Sequence, residues 1–158
     1  MILYHGTNCS FDVIDLEKSK PNKDFGRGFY LSADYNQALD MARIKVNQIH
    51  CGEPVVLKFE IKDEAMMNLN VLQFDDYSKE WAKFILANRN NLSNKPVHDY
   101  DVVIGPIAND KVGVQLWRYE NQVIDLETLV EKLRFMKGIT IQYFFGTEKA
   151  ISLLKLLK

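Results

Sequence analysis

The chain has 158 residues, with 20 Lys plus Arg against 21 Asp plus Glu, so its formal net charge is -1 with His neutral. Hydrophobic residues make up 47% and charged residues 26%, an ordinary globular composition, and the length suits one domain over residues 1–158. This near-balance argues against a protein that coats nucleic acid through a strong basic excess, though not against a local basic patch. Cys9 and Cys51 are too few for a disulfide framework. Together with His50 and His98 they form no ligand pair at zinc spacing, so no metal is expected. No apolar run approaches the ~20 residues of a membrane span, and Met1 to His5 has neither the basic region nor the apolar core of a signal peptide. The expectation is a soluble, reduced, cytoplasmic protein with no membrane partner.

Residues 1–5 read as a short strand, followed by a polar stretch from Asn8 to Asp24 with Pro21-Asn22 as its turn. Gly26-Arg27-Gly28 leads into a brief strand, Phe29 to Ser32. Asp34 and Gln37 have capping-box spacing, and Leu39, Ala42, Val46 and Ile49 recur at helical spacing behind them, which predicts a helix over 34–49. Val55, Leu57, Phe59 and Ile61 alternate with polar or smaller neighbours as in a half-buried strand. A further strand is expected at 69–74 and a helix at 75–90, with Tyr77, Trp81, Phe84 and Ile85 on one side. Tyr100 to Ile104 reads as a strand stopped by Gly105-Pro106, and 114–118 fits strand or helix equally. Leu126, Leu129, Val130 and Leu133 predict a helix after Asp125, closed by Gly138 in the C′ role. Residues 139–145 are β-rich, and a last helix is expected over 147–157. Strands and helices mix without regular βαβ alternation, so the predicted class is α+β rather than a doubly wound sheet.

Three segments have the residue types for chemistry. In Tyr4-His5-Gly6-Thr7 an imidazole, a side-chain-free backbone position and a hydroxyl follow one another at a strand end. The ordinary alternative is a His that simply ends a strand. In Phe25-Gly26-Arg27-Gly28-Phe29-Tyr30-Leu31-Ser32, alternation puts Phe29 and Leu31 on one face and Gly28, Tyr30 and Ser32 on the other, where they either line a cleft or pack half-buried. The glycine spacing is neither a dinucleotide fingerprint nor a P-loop. In Ile139 to Phe145, Gln142 is a lone amide in an apolar strand. Such a group costs free energy unless hydrogen-bonded, so Gln142 either satisfies a backbone group or faces a polar ligand.

His-Gly-Thr on a first strand, then Phe-Gly-x-Gly-aromatic-Tyr ahead of a helix with Gln37-Ala38 and Ala42, resembles the ADP-ribosyltransferase superfamily in its poly(ADP-ribose) polymerase-like branch. The remaining chain is similar to a small bacterial group of uncharacterised function in that superfamily, through Tyr100-Asp101-Val102-Val103-Ile104-Gly105-Pro106-Ile107-Ala108 and through Gln142, Phe145 and Thr147-Glu148-Lys149-Ala150. The resemblance implies a split antiparallel β-sheet core with flanking helices that binds NAD in its cleft. It implies an enzyme that cleaves the nicotinamide–ribose bond and transfers ADP-ribose to an unknown macromolecular acceptor; the near-neutral charge favours a protein over a nucleic acid in that role.

By the motif match the catalytic set is His5, Tyr30 and Gln142, a His-Tyr-Gln version of the family's His-Tyr-Glu triad. His5, Gly6, Thr7, Arg27, Gly28, Tyr30 and Ser32 would contact NAD: His5 on a ribose, the Gly6 backbone on the carboxamide, Tyr30 against the nicotinamide ring, and Arg27 by the diphosphate. NAD is the implied co-substrate. Gln142 carries no charge where the family has a carboxylate, with Glu148 and Glu120 as possible substitutes. Ala38 and Met41 stand where the family often has a Ser and a second aromatic. The chain is too small for a separate activation domain, so single transfer is expected rather than chain-long modification. The family setting also implies a toxin of a toxin–antitoxin or phage-defence pair, with a small antitoxin partner. A catalytically weak or inactive NAD- or ADP-ribose-binding module is the alternative.

Overall fold

A computed structural model describes residues 1–136 and 138–158. The fold is α+β, with a seven-stranded mixed sheet and, among the described residues, six α-helices. The strands are β1 (Ile2–Thr7), β2 (Phe29–Ser32), β3 (Val55–Glu60), β4 (Val71–Gln73), β5 (Val102–Pro106), β6 (Ile141–Phe145) and β7 (Lys155–Leu157). They lie side by side in the order β4-β5-β6-β2-β1-β3-β7. Every pairing is antiparallel except β4–β5, which runs parallel. The helix connecting those two, α3 (Lys79–Arg89), supplies the crossover that a parallel pair requires.

Antiparallel partners place their side chains on the same face, so the registers sort the core into two layers. On one face lie Leu3, Phe29, Leu31, Leu57, Phe59, Val102 and Phe145, covered by Phe11, Ile14 and Leu16 of the 8–28 segment and by Ala150 and Ile151 of α6 (Glu148–Ile151). On the other face Val103 and Phe144 pack beneath α3, α4 (Asp110–Glu120) and α5 (Leu126–Arg134), through Trp81, Ile85, Val112, Leu116, Leu129 and Leu133. Helix α1 (Tyr35–Ile49) shares that second face but sits over β1. A β-carbon on Gly6 would lie 1.9 Å from the Ala38 carbonyl oxygen and 2.8 Å from the Ala42 nitrogen. The glycine therefore lets helix and strand backbones touch. Helix α2 is the single turn Asp63–Met66.

Local capping explains most helix starts. Asp34 accepts from the Asn36 and Gln37 amides, Ser78 from Trp81, Asn109 from Val112 and Asp125 from Thr128. The cap at Ser78 starts α3 later than the expected 75, and the cap at Asn109 makes the undecided 114–118 stretch helical. Three expectations are corrected. β5 is not stopped by Gly105-Pro106 but runs through them, because Gly105 and Pro106 pair with Gln142 and Ile141 of β6. Helix α5 ends at Arg134 because the Phe135 and Met136 amides turn back to the Lys132 and Leu133 carbonyls, before Gly138 is reached. The expected helix over 147–157 is one short helix followed by β7. Leu153 and Leu154 close its last turn with i→i+3 bonds, and Lys155–Leu157 then pair with Lys58–Glu60 of β3. The open edge of β3 offers ladder hydrogen bonds, and Leu156 falls opposite Phe59, so the edge wins over the helical leucine spacing.

Gly6→Ala is expected to cost about 1–3 kcal/mol or more, because the new methyl must push α1 off β1. Urea unfolding measures it, and an unchanged midpoint would show that α1 does not depend on that contact.

Candidate functional site

The sheet is narrowest in hydrogen bonding at its centre. β1 pairs with β3 over six residue pairs, from Ile2–Glu60 to Thr7–Val55, and β2 pairs with β6 over four. Between β1 and β2 the register is one pair, Tyr4 opposite Ser32. Beyond it β1 and β2 form no further pair, which leaves a seam between His5–Thr7 and Phe29–Tyr30. The His5 ring spans this seam, with Nδ1 2.7 Å from the Tyr30 carbonyl oxygen. A carbonyl only accepts, so Nδ1 carries the proton and the neutral ring keeps its lone pair on Nε2. Phe29 stacks on the imidazole at 4.2 Å between centroids, and Phe11 meets it edge-on at 5.7 Å. Burial in this aromatic setting lowers the His5 pKa to about 4, against the pull of the Tyr30 carbonyl; the Lys45 and Lys23 charges push the same way as burial.

Tyr30 points to the opposite face from His5. Its ring meets Phe144 edge-on at 5.3 Å, and the Lys23 ammonium lies 5.1 Å above its centroid. Its hydroxyl donates to the Gly26 carbonyl at 2.7 Å and accepts from the Phe25 amide at 3.0 Å. Burial holds its pKa well above the ordinary phenol value. Tyr30 thereby ties down the 23–28 segment that precedes its own strand. Gly26 makes that tie possible with φ of 94°, the left-handed region that glycine tolerates best. The segment is latched twice more: His98 Nε2–H donates to the Phe25 carbonyl at 2.7 Å, and Arg89 pairs with Asp24 at 2.6 Å. The fully buried Phe25 ring fills the space between Tyr30, Phe84 and Phe144.

Gln142 stands opposite Ser32 on one side and Gly105 on the other, so Tyr4, Ser32, Gln142 and Gly105 form one row across the face that carries Tyr30. Its Nε2 is buried and has no hydrogen-bond partner, so the amide nitrogen satisfies no backbone group. An orphaned buried donor costs roughly 1–3 kcal/mol, which a ligand oxygen would recover. Neighbouring Ser32 is committed: its hydroxyl donates to Gln37 Oε1 and accepts from the Asp34 amide at the entry to α1.

The other expected contacts are placed as follows. A β-carbon on Gly28 would overlap the Phe144 ring at 2.1 Å, so this glycine makes room for Phe144. Gly6 opens toward α1 in the same way. Thr7 is buried, 1% exposed. Arg27 pairs with Glu17 at 2.8 Å, and its Nε is buried without a partner. Glu120 accepts from Asn90 among the helices, and Glu148 lies in the exposed first turn of α6, beyond the far end of β6 from Gln142.

The fold therefore gathers Tyr30, Ser32 and Gln142 on one face and brings His5 to the same seam from the other. His98 and Lys23 belong to no motif of the sequence, yet with Phe25 they shape the Tyr30 surroundings. Only the Phe-Gly-x-Gly spacing pointed to them, through Phe25. Among the described residues no three His, Cys, Asp or Glu side chains gather as a metal would require. No described helix is long and apolar enough to cross a membrane. Two surface grooves lie among the helices, one bounded by Tyr119, Gln122, Ile124 and Thr128, the other by Asn109, Gly113 and Trp117; neither includes His5, Tyr30 or Gln142.

Residues 1–156 match the model of the family described as "Protein of unknown function (DUF3990)", and the chain belongs to that family. No curated protein matches it.

His5 and His98 both have pKa values pulled below 6.5 by burial. The unfolded chain thus takes up protons first on acidification, and the stability these two rings contribute, complete above pH 6.5, is lost as pH falls through their lowered folded-state values, about 4 for His5. Imidazole NMR signals of His5 should stay in the neutral form through about pH 5.5; a midpoint near 6.5 would contradict its burial.

Proposed function

We propose that this chain is an NAD-dependent mono-ADP-ribosyltransferase, with NAD held at the β1–β2 seam and ADP-ribose passed to a macromolecular acceptor. The observation that carries the reading is the juxtaposition at that seam. A strand pair is held by one residue pair, a neutral imidazole spans the opening, and an unsatisfied amide stands on the Tyr30 side. The residues suit a ligand that is amide at one end and ribose beyond it. Main-chain groups freed by the parting of β1 and β2 match a planar carboxamide. His5 Nε2 accepts from a ribose hydroxyl. The Gln142 amide offers both a donor and an acceptor to ligand oxygens and hydroxyls.

The transfer releases nicotinamide and leaves positive charge building on the ribose. Gln142 holds a hydroxyl through its carbonyl oxygen but brings no negative charge to that carbon. Loss of one aimed electrostatic contact costs roughly 10²–10³ in rate, so slow turnover follows from this residue. The same lack of charge favours a second reading, a module that binds NAD or ADP-ribose without turnover.

Nicotinamide release from NAD, followed by chromatography in the presence of cell lysate, tests both. The transferase reading predicts slow release by the wild type, loss of release in His5→Ala, and roughly tenfold or greater gain in Gln142→Glu. Binding without release by the wild type, with release only in Gln142→Glu, would establish the module instead. No release and no NAD binding by any of the three, each shown folded by circular dichroism, overturns both.

A further inference from the structure

The segment between β1 and β2 is balanced in formal charge, but its lysines are not the partners of its ion-paired acids. In the segment between β1 and β2 the ion-paired acids are taken by arginines: Glu17 by Arg27 at 2.8 Å and Asp24 by Arg89 at 2.6 Å. On α1, Asp40 is taken by Arg43. Lys20 and Lys23 of the segment and Lys45 of α1 stay out of every ion pair among the described residues. Two of them, Lys23 and Lys45, converge on the seam. Lys23 Nζ lies 5.1 Å over the Tyr30 ring, and the Tyr30 carbonyl is the group that His5 bonds. Lys45 follows Ala38 and Ala42 along the α1 face that lies on Gly6, the residue after His5.

Resting on the reading of the seam as a nucleotide site, we propose that Lys23 and Lys45, with Lys20 at the rim, form the subsite for the diphosphate of the bound dinucleotide. The sequence points instead to Arg27, but its Nη1 is already engaged by Glu17 at 2.8 Å. Lysine suits the task as a compact charge that meets phosphate oxygens without a fixed fork geometry. Unpaired like charges repel one another until an anion arrives. Burial first, then the Lys45 and Lys20 charges, lower the Lys23 pKa while Asp24 raises it, and the Lys45 and Lys23 charges act on His5 in the same direction as its burial. A doubly negative diphosphate relieves all of these contacts at once.

Titration calorimetry with ADP and with NAD tests the subsite on the full chain. Lys23→Gln/Lys45→Gln is expected to weaken ADP about tenfold or more and to flatten the salt dependence of its binding. Lys83→Gln, an exposed lysine of α3, should leave both unchanged. Loss of ADP affinity in the double variant without nicotinamide release from any form would keep the subsite and discard the transferase. Turnover with the KM for NAD and the ADP affinity unchanged in the double variant would discard the subsite and keep the transferase. Failure of the wild type to bind ADP at millimolar concentration, or tighter binding of a single-stranded oligonucleotide than of ADP, would also overturn the proposal.

Discussion

The parting of β1 from β2 after a single residue pair is the constraint on which the rest of the structure depends. A central strand pair that gives up its ladder must satisfy its main-chain groups by other means. Here a histidine side chain does part of that work by donating to the Tyr30 carbonyl. The commitment of Nδ1 fixes the tautomer, and the aromatic wall of Phe11 and Phe29 keeps the ring neutral. Without the bond from His5 to Tyr30 the seam is an open defect; with it the seam is a defined slot with a lone pair at its edge.

The elements around the seam follow from the same opening. Helix α1 is anchored to β1 through Gly6, which prevents β1 from drifting as β2 leaves it. The 23–28 segment is fixed to the other side by Phe25, His98, Arg89 and the Tyr30 hydroxyl. Each acid of this region that forms an ion pair does so with an arginine, and the lysines are left over. The net charge of -1 averages over these pairs and over many acids and bases outside them, Lys20, Lys23 and Lys45 among the latter.

Features that depend on neighbouring residues were legible in the sequence. Asp34 with Gln37 and the apolar spacing behind it located α1, and strict alternation located β3, because caps and strand faces are set within a few residues. The α+β class followed from their irregular order. Features decided by distant partners were not legible. The apolar spacing from Ile151 through Leu154 to Leu157 serves a helix as well as a turn and an edge strand, and only the open side of β3 chooses. Gly6 and Gly28 read as openings toward a ligand, whereas their missing side chains accommodate α1 and Phe144. Gln142 stood out as a polar residue in an apolar strand. Of its two explanations, bonding to backbone fails for the amide nitrogen. That His5 and Tyr30 approach the seam from opposite faces depends on strand register, which short motifs do not encode.

The most direct test is a crystal structure grown with NAD or a non-cleavable analogue. The nicotinamide ribose should sit in the seam between His5–Thr7 and Phe29–Tyr30, with His5 Nε2 on one side, the Gln142 amide satisfied on the other, and the diphosphate toward Lys23 and Lys45. A ligand bound instead in the helical groove beside Tyr119 and Thr128, with the Gln142 amide still unpartnered, would contradict the assignment of the seam as the site.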